Sequence, residues 1–458
     1  MRMSERVARL LLGCIESLAA RPEECARSPG RDFVRNRRLG LARLLLLLVC
    51  WGRDSASAEL CDLAGWDGAA PSGLALTQQW KKLNDRAMPA LLRSFLALFE
   101  PAALIGRYRL LAADGTEWQL LPGTGGDRCR VGNGRGGYRC GVRKGRGGGH
   151  HWEMHATCAF DLVRRTFEDA VCQGGAEEDE PGALCRLVDR LPRGRGLVPL
   201  WLADRGFCTW NVICHMREAG ASFCLRASDA WVSRLFGDEL PAGEFDVRVR
   251  HYLVRTASLA ARSFPGHPGL YSRFAGGRAL DVLPAGSRAE YRVELRVVRL
   301  ALPADDGDGP GADRWLTLVT DLPGDEFDAG ALAALYAMRW DQEVGFSHLK
   351  HAVGLADAPR TRDFGRAVQE LWGRLVLYDA CSLGTADVPA PAPGPALPRA
   401  TDRAAAFKAF QRMLRSLVRR AAFDVEACAA RFSHSVRRGR SHERRKRPKS
   451  PPRSQYRH

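Results

Sequence analysis

The sequence has 458 residues, of which 45% are hydrophobic, so it is long enough for two or three domains with packed cores. It carries 69 lysines and arginines against 52 acidic residues, and the net charge of +17 indicates attraction to polyanions, most often nucleic acid. The longest apolar run, residues 41–51, is too short to span a bilayer, and no signal peptide is recognised. The 14 cysteines include no Cys-x-x-Cys pair, which argues against a zinc ribbon and a disulfide framework and favours the cytoplasm.

Residues 1–100 are predicted to be helical. Leucines and other apolar residues recur at helical spacing over residues 32–49 and again over residues 77–99. Basic residues stand at the front of both segments, and a loop rich in Gly, Ala and Pro separates them. This arrangement is compatible with a DNA-binding domain and equally with a domain that only packs against the rest of the chain.

A buried strand is predicted to stop at Asp114. Residues 107–113 are mostly apolar, and Asp114 is followed by Gly115 and Thr116. An aspartate before a glycine is usually only a turn residue, so this position alone does not establish chemistry.

A mobile basic loop is predicted over residues 122–150, which contain 12 glycines, seven lysines and arginines and one aspartate. The segment matches the string Gly-x-Gly-x-x-Gly at residues 132–137, but no strand leads into it and no helix leads out, which excludes a dinucleotide site. His150, His151 and His155 fit no standard zinc spacing with the nearby cysteines.

A second apolar strand is predicted over residues 196–203 and ends at Asp204, with Gly206 close behind. The surrounding pattern predicts an α/β core. It consists of a hairpin over residues 153–172, a helix over 177–189, a helix over 209–219 and a strand over 222–226.

Residues 228–312 change character and are predicted to form a β-rich insertion. Short β-patterned runs over residues 245–254 and 291–302 alternate with Gly and Pro turns. A core strand that begins near Trp315 then leads to the next helix.

One helix is predicted over residues 328–353. At 100° per residue, Tyr336, Arg339, Glu343 and Lys350 fall within an arc of about 60°, separate from the apolar stripe of the same helix. Such a face could be merely solvated, but it also offers a carboxylate beside two cations and a phenol. The cations would bind phosphates by charge-assisted hydrogen bonds, and the phenol would add a neutral one.

The C-terminal region is predicted to contain a helix over residues 364–383, a Pro/Ala linker over 386–400 and a basic helix over 401–432. From residue 431 onward there are 11 lysines and arginines and one glutamate, which is typical of a disordered tail with loose affinity for nucleic acid.

Three distant acids could form one metal site. If Asp114, Asp204 and Glu343 converge, their carboxylates repel one another and the pKa of at least one of them rises. A divalent cation removes this repulsion, and ligands that are all oxygens suit Mg2+ or Mn2+ and not zinc. Two such ions about 4 Å apart could bind both sides of one phosphodiester.

The spacing Tyr-x2-Arg-x3-Glu-x6-Lys from Tyr336 to Lys350 resembles the signature of bacterial insertion-sequence transposases of the DDE superfamily. Asp114-Gly-Thr and Ala-Asp204-Arg-Gly-Phe resemble the two upstream motifs of that family. The three motifs occur in the family's order, and the resemblance covers roughly residues 32–385.

The resemblance implies an α/β fold in which a ribonuclease-H-like catalytic core is interrupted by a β-rich insertion, with an N-terminal helical domain and a C-terminal helical and basic tail. The predicted divisions are a DNA-binding domain (1–100), the core in two parts (101–227 and 313–385), the insertion (228–312), a linker (386–400), a helix (401–432) and the tail (433–458).

The implied activity is cut-and-paste transposition. Asp114, Asp204 and Glu343 would be the catalytic acids and would hold two Mg2+ or Mn2+ ions. Double-stranded DNA, as terminal inverted repeats and as target, would be the partner of a homodimer that has no membrane association, in the bacterial cytoplasm near the nucleoid. Tyr336, Arg339 and Lys350 would bind DNA, and Trp315 would take up a flipped-out base in relatives that form hairpins; its alternative role is that of an ordinary core aromatic.

Two alternatives remain open from the sequence. The chain could be a metal-dependent nuclease that hydrolyses DNA without joining it, or a non-catalytic DNA-binding protein derived from a transposase. Strand-transfer products would distinguish the first from a transposase, and substitution of the acids would distinguish the second.

Overall fold

The computed structural model describes residues 2–35, 37–52, 54–64, 71–132, 150–191, 196–236, 240–254, 271–273, 282, 291–302, 315–388, 399–418 and 433–435. Most of the glycine-rich loop, part of the predicted insertion, most of the linker, the end of the basic helix and nearly all of the tail lie outside these residues.

Six helices form the N-terminal part of the described chain. They are α1 (Met3–Ala19), α2 (Pro22–Cys25), α3 (Leu41–Cys50), α4 (Ala56–Ala64), α5 (Gly73–Trp80) and α6 (Ala87–Leu96). The prediction of one helix over residues 77–99 was wrong, because the chain turns between α5 and α6. The Asn84 side chain accepts a hydrogen bond from the Arg86 backbone N–H (3.0 Å) and donates one to the Glu24 carbonyl (2.8 Å). The helix predicted over 32–49 begins only at Leu41.

A mixed sheet follows. Its strands are β1 (Tyr108–Gln119), β2 (Arg130–Gly132), β3 (His150–Asp161), β4 (Thr166–Gly174), β5 (Val198–Ala203), β6 (Ser222–Arg226), β7 (Phe245–Val254), β8 (Tyr271–Arg273), β9 (Tyr291–Ala301) and β10 (Trp315–Thr320). Their order is β2-β3-β1-β5-β6-β10-β9-β7-β8, and β4 also pairs with β3. Strands β1, β5 and β6 are mutually parallel, whereas β3 and β10 run antiparallel to their neighbours.

Helices cover both faces of this sheet. Between the strands lie α7 (Glu180–Arg190), α8 (Trp210–Glu218) and α9 (Asp229–Phe236), and after β10 come α10 (Ala329–Ala337), α11 (Trp340–His351), α12 (Phe364–Gly384) and α13 (Arg403–Val418). Alternate residues of β1 belong to two different cores. Leu110 and Ala112 pack in the core shared with α3 and α12, and Leu111 and Ala113 pack in the core shared with α7 and α8.

Helix α12 joins the N-terminal helices to the sheet. It approaches α3 so closely that a Cβ at Gly373 would overlap the Leu48 carbonyl, which explains a glycine inside a buried helix. The Gln369 amide donates to the Leu83 carbonyl (3.2 Å) and accepts from the Trp80 indole (2.6 Å). The N-terminal helices therefore pack on the α/β core through apolar contacts and directed hydrogen bonds.

The strands of the predicted insertion extend the main sheet. Strand β9 pairs with β10 over six residues in antiparallel register, and β7 pairs with β9. The region also contains α9, which the sequence pattern did not predict. Whether these strands constitute an insertion between parts of a catalytic core remains a prediction.

The C-terminal part returns to the N-terminal helices. Arg415 of α13 contacts Glu59 of α4 at 3.0 Å, and Glu59 is almost completely buried. Short strands β11 (Arg399–Thr401) and β12 (Ser433–Ser435) pair with each other. Within the described residues no helix is long and apolar enough to cross a membrane.

Candidate active site

The strand register places the first two predicted acids side by side. Strands β1 and β5 are parallel, and their last paired residues are Ala113 and Ala203. Asp114 follows Ala113 in the chain, and Asp204 follows Ala203. Both aspartates therefore lie level with the carboxyl end of β5, and ligands of open α/β sheets usually bind at this edge. The Asp114 carboxylate accepts a hydrogen bond from the Gly115 N–H, and the Asp204 carboxylate accepts one from the Gly206 N–H, each at 2.8 Å.

Asp114 does not end its strand. The prediction of a turn at Asp114-Gly115 was wrong, because β1 continues to Gln119. Beyond the end of β5, antiparallel β3 still pairs with β1, and Asp114 lies opposite Cys158. Asp204 does end its strand, as predicted.

The third acid reaches the same place from the helical layer. The helix predicted over residues 328–353 is divided into α10 and α11 by a tight turn at Met338 and Arg339, where the N–H groups bond to carbonyls three residues back. The Gln342 amide donates to the Cys158 carbonyl at 3.0 Å. This bond holds α11 against the strand that pairs with Asp114, and Glu343 is the next residue.

Arg339 connects two of the acids. Its guanidinium donates to the Asp114 carboxylate at 3.2 Å and to the Glu343 carboxylate at 3.0 Å. The Arg339 side chain is 14% exposed, so this ion pair is largely shielded from water. Asp114 and Glu343, which are 229 residues apart in the sequence, are thus joined through one cation.

Burial raises the pKa of Asp114 to about 6, although Arg339 and the Gly115 N–H lower it. The charges of Asp204 and Glu343 raise this pKa further. The repulsion expected among converging carboxylates is therefore present, and it requires that all three acids lie within electrostatic range.

Tyr336 and Lys350 extend the site along the helices. The Arg339 guanidinium lies 5.8 Å from the centre of the Tyr336 ring, and burial raises the pKa of the Tyr336 hydroxyl. The charge of Asp204 acts on this hydroxyl in the same direction, whereas the Arg339 guanidinium lowers its pKa. Lys350 lies on α11, about two turns beyond Glu343.

Trp315 lies at the same edge of the sheet but three strands from Asp114. It is the first residue of β10, and the order of strands between them is β1-β5-β6-β10. Its ring is half-buried, with the Arg299 guanidinium 5.8 Å from the ring centre. The structure does not bring Trp315 into the cluster of acids, so its role remains a prediction.

Sequence reasoning missed a second polar cluster on the opposite face of this edge. His155 on β3 lies beside Glu178 and Glu180, which precede and begin α7. A Cβ at Gly115 would overlap both His155 and Glu180. The sequence offered two separate signals, His155, which was set aside because it fits no zinc spacing with the cysteines, and the acidic run at residues 177–180, which is typical of the ordinary start of a helix.

The three acids have the ligand chemistry of a hard divalent cation, but among the described residues their carboxylate oxygens do not all lie within 4.8 Å of one another. They offer only carboxylate oxygens, and the Arg339 guanidinium contacts two of the three carboxylates, those of Asp114 and Glu343. Asp114, Asp204 and Glu343 could therefore hold Mg2+ or Mn2+, since such ions prefer oxygen ligands and relieve the remaining repulsion.

A protein-family model described as "Transposase DDE domain" matches residues 105–379, which is more than half of the chain and includes the three acids. No curated protein matches the sequence. Among solved structures the chain is similar to the "piggyBac transposase synaptic complex with hairpin DNA", determined by cryo-EM. The likeness covers 82% of this chain and 69% of that chain, with 10% identity and a TM-score of 0.39.

Proposed function

This chain belongs to the DDE transposases and is a DDE-type DNA transposase, and we propose that it cuts DNA at the ends of an insertion sequence and joins those ends to target DNA by metal-dependent phosphoryl transfer. The proposal is supported by the hydrogen bonds from Arg339 to Asp114 and Glu343, and by the strand register that places Asp204 next to Asp114 at one edge of the sheet. The net charge of +17 supports a DNA substrate.

The chemistry consists of two displacements at phosphorus. In the first, water attacks a phosphodiester at the end of the element, the bond from phosphorus to the 3′ oxygen breaks, and this oxygen leaves as a hydroxyl after taking a proton. In the second, the freed 3′ hydroxyl loses its proton and attacks a phosphodiester of the other strand, the bond from that phosphorus to its own 3′ oxygen breaks, and this oxygen leaves as a hydroxyl after taking a proton. Divalent cations, two in our proposal, would lower the pKa of the attacking oxygen and stabilise the leaving one.

The protein's own residues position the scissile phosphate. Asp114 and Asp204 are fixed by the backbone N–H groups of the glycines near them, and Glu343 is held by Arg339. On arrival of the phosphate, Arg339 can exchange a carboxylate for a phosphate oxygen, because both accept from the same guanidinium edge. Lys350 would bind DNA phosphate farther along α11, and Tyr336 would donate a neutral hydrogen bond.

The bacterial insertion-sequence subgroup is part of the proposal. Its support is the four-residue spacing from Tyr336 to Lys350, of which Tyr336, Arg339 and Glu343 cluster in the structure. A hairpin intermediate that uses Trp315, and a homodimer that acts on paired ends, are proposed from the family resemblance alone.

This function is tested by cleavage of DNA that includes the sequences flanking the gene on both sides. The purified protein with Mg2+ is expected to nick at the element ends, and Asp204→Asn or Glu343→Gln should reduce the rate by more than about 100-fold, because even residues that only support metal ligands are worth 10- to 100-fold. Glu294→Gln is the matched control, since this exposed carboxylate lies on β9 and pairs with Arg250 and Arg292.

The products decide between the candidate functions. Joining of the cut end to a second DNA supports a transposase, whereas hydrolysis without joining would indicate a nuclease. Unchanged activity in both acidic variants would refute the proposed site. Binding without any cleavage in the wild type would favour the non-catalytic protein.

A further inference from the structure

A histidine and two glutamates form a compact cluster outside the proposed catalytic site. The Nε2 atom of His155 lies 3.1 Å from Oε1 of Glu180 and 3.7 Å from Oε1 of Glu178. One donor atom from each of the three residues lies within 4.8 Å of the others. The His155 side chain is only 2% exposed, and its Nε2 faces both carboxylates.

These separations match the donors of one bound metal ion. Two ligand atoms that are each about 2.1 Å from a metal, at a tetrahedral angle, lie about 3.4 Å apart. The two distances from His155 Nε2 fall on either side of this value. The three ligands come from a β-strand and from the start of a helix, both held by the surrounding fold.

Two glycines lie next to the cluster. A Cβ at Gly115 would overlap His155 and Glu180, whereas a Cβ at Gly206 would be in ordinary contact with Oε2 of Glu180 at 3.7 Å, so only Gly115 is required by the cluster. Gly115 and Gly206 follow the two catalytic aspartates by one and two residues. The cluster therefore lies directly behind the catalytic acids, on the face of the sheet that packs against α7.

The donor chemistry separates this cluster from the catalytic acids. The acids offer only oxygens, which suit Mg2+, whereas one imidazole with two carboxylates suits transition metals such as Zn2+ and Mn2+. The other ring nitrogen of His155, Nδ1, is buried without a hydrogen-bond partner in the described structure. Nε2 is therefore the ring nitrogen that faces polar partners, and these partners are the two glutamates.

We propose that His155, Glu178 and Glu180 form a second metal site that binds a divalent transition-metal ion independently of the catalytic acids. An ion there fastens the start of α7 to β3 behind Gly115. The ion connects this helix to the sheet below the catalytic acids, and it takes no part in the displacement at phosphorus.

Metal binding is measured on the full chain after removal of metals by a chelator. The background variant combines Asp114→Asn, Asp204→Asn and Glu343→Gln, which removes the all-oxygen site and also makes the result independent of DNA cleavage. Equilibrium dialysis against Mn2+ is expected to find about one ion per chain, and pulsed EPR should detect coupling of that ion to an imidazole nitrogen. Dialysis against Zn2+ in the same background shows which of the two ions binds more tightly.

In the same background, His155→Gln should abolish the nitrogen coupling, and Glu180→Gln should lower the Mn2+ affinity by at least about tenfold. His151→Gln is the matched control, since its Nε2 lies 3.3 Å from Glu153 in a simple pair on the same strand. If His155→Gln fails to fold, the Glu178→Gln and Glu180→Gln variants carry the test. Absence of bound Mn2+ and Zn2+ in the background variant, or binding that survives these substitutions, would overturn the proposal.

Discussion

At the residue scale, Arg339 holds two of the three acids, because its guanidinium donates to both Asp114 and Glu343. Asp204 could be predicted because its strand stops there and glycine follows. The geometry at Asp114 could not, since the strand continues only by pairing with β3, a partner about 40 residues later in the chain. The contact of Arg339 with Glu343 follows from their spacing of four residues. The contact of Arg339 with Asp114 is a tertiary contact that the sequence does not predict.

The raised pKa of Asp114 predicts a pH dependence of stability. Its folded pKa of about 6 lies above the ordinary value of 3.8, so the folded metal-free protein binds more protons than the unfolded chain between these values. The contribution of Asp114 to the free energy of unfolding therefore decreases as pH rises from about 4 to 6, by at most about 3 kcal/mol at 1.36 kcal/mol per pKa unit.

Asp114→Asn should remove this part of the pH dependence. Thermal unfolding of wild type and variant in chelator is expected to show the variant gaining stability relative to wild type as pH rises from 4 to 7. The difference between the two proteins removes the contributions of the other buried acids to the pH dependence of stability. Saturating Mg2+ should reverse the order at pH 7, because only the wild type retains all three oxygen ligands. A constant difference across this pH range would contradict the prediction.

Arg339 is expected to matter through both acids that it contacts. Arg339→Gln removes a positive charge that lowers the pKa of Asp114, so the rising limb of activity against pH should move to higher pH. The rate at neutral pH should fall on the order of 10- to 100-fold, because the supporting partner of two ligands is lost. The measurement is the pH profile of DNA nicking.

The control for Arg339 is Arg165→Gln. Arg165 pairs with Asp341 of the same helix α11 at 2.9 Å but contacts neither Asp114 nor Glu343 in the described structure. Its pH profile should match that of the wild type. An equal shift in both variants would show that the effect arises from general loss of positive charge.

At the element scale, helix existence was easier to predict than helix continuity. The apolar period from residue 328 to 353 runs unbroken through the turn that separates α10 from α11, because Met338 and Arg339 keep helical backbone angles and only tighten their hydrogen bonds. No proline or glycine marks this turn. By contrast, α8 and β6 were predicted nearly to the residue, since each has clear limits such as the N-cap Thr209.

The contact between α3 and α12 can be tested at Gly373. Alanine is intrinsically favoured over glycine in helices by about 1 kcal/mol, so Gly373→Ala would be stabilising if space were available. Because its Cβ would overlap the Leu48 carbonyl, we expect a loss of about 1–3 kcal/mol instead, as for other overpacked cores. Gly13→Ala in α1 is the matched control, since nothing lies within 4 Å of its added Cβ.

Thermal or denaturant unfolding of the two alanine variants gives the answer. Gly13→Ala should raise the melting temperature slightly, and Gly373→Ala should lower it. If both variants gained stability, the close packing of α12 on α3 would be disproved.

At the scale of the whole molecule, composition predicted the class of partner and patterning predicted the α/β core, but neither predicted how the parts pack. The N-terminal helices contact α12 through Gln369 and Trp80, residues that are unremarkable in the sequence. These helices share a hydrophobic core with Leu110 and Ala112 of β1, on the face of the sheet to which Asp114 also belongs.

The excess positive charge predicts strong salt dependence of DNA binding, to which the C-terminal residues contribute. Residues 436–458 contain ten lysines and arginines and one glutamate, which is +9 of the net charge of +17. A chain that ends at residue 435 retains β12 and should bind non-specific duplex DNA more weakly. It should also show a shallower slope of log K against log salt, because each phosphate contact contributes about 0.9 to the slope.

Titration of labelled duplex DNA at several salt concentrations measures both quantities. A full-length variant with the ten cations replaced by serine or glutamine separates charge from length, and it should behave like the shortened chain. Cleavage at saturating DNA should be retained in both, since the proposed catalytic acids and Arg339 lie in other elements. A slope that is unchanged by removal of the ten cations would mean that DNA is held by the folded surface alone.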